Sequence, residues 1–213
     1  MGGLNRAATA ALAVVLFVTG AGRTHAQVVA EPALLTAGVP AGETFLPYLA
    51  FPENAYVLGG QIRFPVSDDV DIGGRAGLWL RDDADDTPYA GADVRYGLLS
   101  RPLSSGGGLL NLSFAFGAGL SEPGETVWKI PVGFIAGIGF QLAGGDSEIF
   151  THPRLEFGIS SGEDNTDTAL VLDLGGVFSI TERVGAVLDF RFGNGMYVEG
   201  DNVVIALGAI WRI

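Results

Sequence analysis

The chain has 213 residues, 33 of them glycine, with 48% hydrophobic and only 17% charged residues. That balance excludes an intrinsically disordered chain, and glycines without a three-residue period exclude collagen. Acidic residues outnumber basic ones by 24 to 12, the formal net charge is −12 and cysteine is absent; a nucleic-acid-binding surface, a disulfide scaffold, a Cys-ligated metal and a thiol nucleophile are thereby excluded.

The chain opens on a short segment with one positive charge, Arg6, followed by the uncharged apolar run Ala7 to Thr19 and by Thr24-His25-Ala26, small at both ends. This is the layout of a secretory signal peptide, too short to cross a bilayer as a helix. Cleavage after Ala26 would leave Gln27 first, remove Arg6 and Arg23, and take the net charge to −14. Residues 1–26 are therefore expected to be an export signal, 27–42 a linker and 43–213 a single folded domain.

Beyond the leader the hydrophobic period is two, the signature of strands with one apolar face. Thr44 to Phe51 is a short first candidate, interrupted by Pro47. Nine long candidates follow between about Ala55 and Ile213. They are cut by turn signals at Ser67-Asp68-Asp69, Asp82 to Pro88, Pro102 to Gly108, Ser121 to Glu125, Ala143 to Asp146, Ser161 to Asp167, Thr181 to Arg183 and Gly195 to Asp201. In the segment from Leu110 to Leu120, Leu110, Leu112, Phe114, Phe116, Ala118 and Leu120 oppose Asn111, Ser113, Ala115, Gly117 and Gly119. In the last, Val203, Ile205, Leu207, Ala209, Trp211 and Ile213 oppose Asn202, Val204, Ala206, Gly208, Ile210 and Arg212. The fold class predicted is all-β, an up-and-down antiparallel transmembrane β-barrel of ten strands, or of eight if two segments are misread.

Three features aim the apolar face at lipid. The opposite face is built from glycine, Arg, Asp and Glu, and the whole chain holds one lysine, Lys129. By parity that face collects Arg63, Arg75, Asp93, Arg95, Arg154, Glu156, Asp173, Asp189 and Arg191, whose charges nearly cancel, as expected of a narrow polar lumen. Near strand ends the apolar face carries Tyr56, Phe64, Tyr96, Trp128, Phe140, Phe192 and Trp211, placed as an aromatic girdle would be. A soluble lipocalin-like periplasmic binding barrel with an apolar cavity is the alternative arrangement.

These features together resemble the small bacterial outer-membrane β-barrel proteins of the OmpA/OmpX-like type, over roughly Gly42 to Ile213. The likeness rests on leader, dyad-repeat strands, polar interior and amphipathic last strand. Such barrels commonly end in an aromatic residue read by the barrel assembly machinery; here Trp211 stands two residues before Ile213. The resemblance implies residence in the outer membrane among its lipids and lipopolysaccharide, with the assembly machinery as partner during biogenesis. It implies a structural or interaction role, at most a small-solute channel.

Catalytic signals are sparse. Gly158-Ile159-Ser160-Ser161-Gly162 matches G-x-S-x-G but runs into an acidic loop, whereas the nucleophile elbow needs a strand turning sharply into a helix. His152 is the one histidine beyond the leader, on the charged face beside Arg154 and Glu156, with Asp173 and Ser179 on a neighbouring strand. A lipid- or peptide-modifying enzyme would have to use it; the expectation is no enzyme, no cofactor and no resident metal. Carboxylates gather in connections on the predicted outer side: Asp82, Asp83, Asp85 and Asp86; Glu122 and Glu125; Glu163, Asp164 and Asp167; Glu199 and Asp201. None has the spacing of a calcium-binding loop, so these are candidates for weak divalent-cation binding only.

Overall fold

Ten antiparallel strands carry the chain: β1 (Thr44–Phe51), β2 (Ala55–Ser67), β3 (Val70–Arg81), β4 (Thr87–Pro102), β5 (Leu109–Ser121), β6 (Val127–Leu142), β7 (Gly145–Ser160), β8 (Thr166–Ser179), β9 (Val184–Gly193) and β10 (Val203–Arg212). The computed structural model describes residues 36–52, 55–81, 86–103, 107–121, 126–161, 166–193 and 203–213. Each strand pairs with its sequence neighbours, and β1 closes the sheet on β10. The up-and-down order and the ten strands are those the alternation predicted. The signal-peptide reading of residues 1–26 lies outside the described residues.

Strand direction sorts the connections to two ends. At one, the turn end, lie Asp68-Asp69, Leu103, Gly107 and Gly108, Ala143-Gly144 and residues 180–183, together with the start of β1 and the end of β10. At the other, the loop end, β1, β3, β5, β7 and β9 finish. The β6–β7 hairpin turns on two residues with positive φ, Ala143 at 50° and Gly144 at 77°. That geometry follows the right-handed twist of the flanking strands.

Prolines inside strands are accommodated by gaps in the ladders. The β1–β10 register passes from Phe45↔Trp211 directly to Tyr48↔Gly208, skipping Pro47. The β5–β6 ladder skips Pro131 between Val132 and Lys129, and the β6–β7 ladder skips Pro153 between Arg154 and Thr151. A proline has no N–H to give to one of its two neighbours, so the register survives where the other ladder is kept.

The barrel is apolar outside and charged inside, the reverse of a water-soluble protein. Leu49, Leu58, Phe116, Phe134, Ile138, Ile149, Leu170 and Leu207 stand exposed on the outer surface. Phe114 and Phe134 meet there at 5.3 Å between ring centroids. A continuous apolar exterior on a sheet with no free edge is the surface a hydrocarbon layer accepts, because a closed ladder pairs its backbone N–H and C=O groups internally.

Aromatic side chains form two rings on that exterior. Tyr56, Trp128 and Phe192 mark the loop end; Phe64, Tyr96, Phe140 and Trp211 mark the turn end. Tyr56, Tyr96, Trp128, Phe192 and Trp211 are exposed, while Phe64 and Phe140 are half-buried. Phe51 meets Tyr56 edge-on at 6.1 Å at the loop end, and Phe45 meets Trp211 at 6.5 Å at the turn end. Rings of this kind sit where apolar and aqueous media meet.

Candidate functional site in the barrel lumen

The lumen is filled by side chains rather than open. Arg63, Arg75, Asp93, Arg95, Arg154, Glu156, Asp173, Asp189 and Arg191 all point inward and are between 0% and 7% exposed. Parity dictates this: each stands on the face opposite the outward apolar residues, and side chains alternate strictly along a strand. Two clusters result.

The first lies toward the turn end. Arg63 on β2 pairs with Asp71 on β3 and, at 2.7 Å, with Asp93 on β4, while Arg95 pairs with Asp71. Arg63 reaches Asp93 across the intervening strand because the residue between them in register is Gly73. A Cβ there would lie 2.4 Å from Arg63 Nη1 and 2.9 Å from Asp93 Oδ2. Arg75 acts electrostatically on Asp93 from the same strand as Asp71. We therefore expect Gly73→Val to displace the Arg63 guanidinium and cost about 1–3 kcal/mol, the usual cost of overpacking. Urea unfolding in lipid vesicles measures it, and an unchanged midpoint would contradict the geometry.

The second cluster runs from mid-barrel to the loop end. Glu156 accepts from three cations: Lys129 at 3.2 Å, Arg154 at 2.8 Å and Arg191 at 3.0 Å. Arg154 also pairs with Asp173, and His152 Nδ1 lies 3.4 Å from Asp173 Oδ2. His152, Asp173 and Arg191 stand directly opposite one another on β7, β8 and β9. Asp189 is enclosed beside Arg154 and Arg191. Guanidinium groups suit this role because their planar donor fork serves two carboxylates at once.

Three members of the charge system were absent from the sequence-based set. Asp71 is fully buried and bridges two arginines; its parity with Gly73 and Arg75 was the available signal. Lys129 shares its face with Gly133 and binds Glu156. Glu148, four residues before His152 on the same face, is buried and binds main-chain N–H groups near the turn end. With them, the two clusters and the Glu148 site hold Arg63, Arg75, Arg95, Lys129, Arg154 and Arg191 together with Asp71, Asp93, Glu148, Glu156, Asp173 and Asp189 among the described residues.

The interior is not uniformly polar. Leu46, Tyr48, Val57, Ile135, Phe150 and Val204 are buried within it as part of one apolar cluster. The hydroxyls of Tyr48 and Tyr89 are 2.7 Å apart inside the barrel. Trp79 is buried beneath Arg81, whose guanidinium carbon is 4.6 Å from the indole centroid. The middle portions of β1 and β10 contribute Leu46, Tyr48, Ala50, Val204, Ala206 and Ile210, without charge.

Of the residues weighed for catalysis, the structure brings Asp173 to His152 but not Ser179. Ser179 stands six residues further along β8, roughly 20 Å at strand rise, and its hydroxyl donates to the Asp146 carbonyl. Ser160 closes β7, and no helix occurs among the described residues. Of the acidic connections, Asp86 is exposed and Asp167 stands at the start of β8. Asp82, Asp83, Asp85, Glu122, Glu125, Glu163, Asp164, Glu199 and Asp201 lie outside the described residues. Among the described residues no group of three or more His, Asp or Glu is placed to hold a metal ion.

No family model and no curated protein matches the chain. Among solved structures it is similar to the β domain of the Bordetella autotransporter BrkA, at 10% identity and a TM-score of 0.43 over 81% of this chain and 99% of that one. A de novo designed transmembrane β-barrel aligns at 10% identity and 0.38, over 82% and 98%. The Acinetobacter baumannii outer membrane protein Omp33 aligns at 10% and 0.34, over 83% and 100%.

Proposed function

We propose that this protein is a bacterial outer-membrane β-barrel with a structural or interaction role and a lumen largely plugged by its own side chains. The observation that supports this reading is the inversion of polarity: an apolar exterior bounded by two aromatic rings encloses an interior dense in paired charges. The turn end, which carries both strand termini and the tightest hairpins, is the periplasmic side; the loop end, with its acidic connections, faces outward. The acidic rim keeps that surface hydrated and is suited to weak divalent-cation contacts with lipopolysaccharide phosphates.

The mature protein is expected in the detergent-extracted outer-membrane fraction, migrating faster on gels before boiling than after. A closed sheet without edges resists detergent unfolding until heated. Recovery as a soluble periplasmic monomer would overturn the reading. In planar bilayers the unmodified protein is expected to show very small or no steady conductance, whereas Asp173→Ala, which strips Arg154 and His152 of a shared carboxylate, should destabilise the barrel or make it leak. Large, stable, weakly selective conductance from the unmodified protein would replace the plugged reading with a porin role.

A further inference from the structure

Residues Thr36 to Val39, which the sequence suggests belong to a linker, lie inside the turn end of the barrel, where a set of buried side chains grips their main chain. Glu148 accepts the N–H of Ala37 with one carboxylate oxygen and the N–H of Gly38, at 3.0 Å, with the other. Asn111 Nδ2 donates to the same carboxylate at 2.9 Å. Ser113 Oγ donates to the Ala37 carbonyl. Arg95 donates to the Thr36 carbonyl and, at 2.9 Å, to the Thr36 hydroxyl. Ala37 is only 2% exposed, and its Cβ lies 3.0 Å from where a Cβ on Gly137 would stand. A cavity of about 30 Å³ lies beside the segment, lined by Thr36, Pro40, Thr44, Gln61, Arg63 and Arg95 among others, room for about one or two water molecules.

We propose that the periplasmic end of the lumen is a main-chain binding site and that this chain's own Thr36–Val39 segment is its occupant, seated there as a stopper. Glu148 meets two successive backbone N–H groups and one amide, where Asp71, Asp93, Glu156 and Asp173 meet cations. A buried carboxylate is stable only with such donors, so the emptied site favours a peptide bent, as Ala37 and Gly38 are, so that two consecutive N–H groups turn to one side. The missing side chain at Gly137 fixes the specificity: the peptide residue that packs against it must be small. The proposal rests on the outer-membrane reading for the direction from which the site is reached, not for the grip itself.

The chain has no cysteine, so engineered thiols report without background. Val39 Cγ2 lies 3.5 Å from where a Cβ on Gly97 would stand. The full-length Val39→Cys, Gly97→Cys protein is therefore expected to form one intramolecular disulfide under mild oxidation. Adding Ala37→Phe, which cannot enter beside Gly137 and alters no strand, should lower cross-linking at least tenfold. It should also open the thiol introduced by Val39→Cys to a membrane-impermeant maleimide supplied from the periplasmic side. Glu148→Ala in the same background should act in the same direction, and heat-modifiable migration controls for folding in each case. Failure to cross-link, or equal cross-linking in the Ala37→Phe protein, overturns the stopper. Free conductance by the cross-linked protein would instead refute the plugged lumen and leave the binding site standing.

Discussion

Replacing Glu156 by alanine is expected to cost about 3–5 kcal/mol of barrel stability, the penalty for stranding buried charge. Glu156 is nearly fully buried, and Lys129, Arg154 and Arg191 from three different strands converge on it. Its removal leaves three cations around one vacated position, with Asp173 and Asp189 the carboxylates still near Arg154 and Arg191. Two repairs discriminate cause from mere truncation. Glu156→Gln keeps the volume and an acceptor oxygen but not the charge, so it should recover only part of the loss. Combining Glu156→Ala with Lys129→Met removes one stranded cation and should be less damaging than Glu156→Ala alone. Urea titration of the protein folded into lipid vesicles, followed by tryptophan fluorescence, measures all three. A Glu156→Ala midpoint equal to that of the unmodified protein would show that the cluster does not hold the lumen together.

Phe134→Arg is expected to cost about 2–4 kcal/mol, the penalty for an arginine near the bilayer midplane. Phe134 is half-exposed on the outer face and packs on Phe114. The adjacent position behaves differently for a different reason. A Cβ on Gly133 would lie 2.5 Å from both Arg154 Cβ and the Pro153 carbonyl, so even Gly133→Ala overlaps backbone and should impair folding. Phe134→Leu, by contrast, should be tolerated. The pair tests the assignment of faces: vesicle folding that is indifferent to Phe134→Arg but tolerant of Gly133→Ala would invert it.

The sequence by itself determined the strands and their faces. Strict alternation of side-chain direction along an extended chain means that parity alone separates Phe134 from Gly133 and Leu188 from Asp189, whatever the strands pair with. It also determined the order of the barrel, since turn signals between adjacent strands leave little room for other connections. Even the interrupted segment with Pro47 was legible as a strand, although only the ladder with β10 shows where the missing N–H is absorbed.

Tertiary structure decided which charges meet. Arg63 and Asp93 are far apart in sequence and become partners because the registers of β2 and β4 on β3 set them level on either side of Gly73. Asp71 had the right parity, yet its role as the bridge between Arg63 and Arg95 depends on the stagger of three strands. The segment from Thr36 to Val39 carries no period and no charge, so nothing local marks it as an occupant of the lumen. Its place follows from Glu148, Asn111 and Ser113, which the registers of β5 and β7 on β6 bring to one point. Alternation is a property of each residue's own backbone, whereas register and closure are properties of the whole sheet, and the site is made of register and closure.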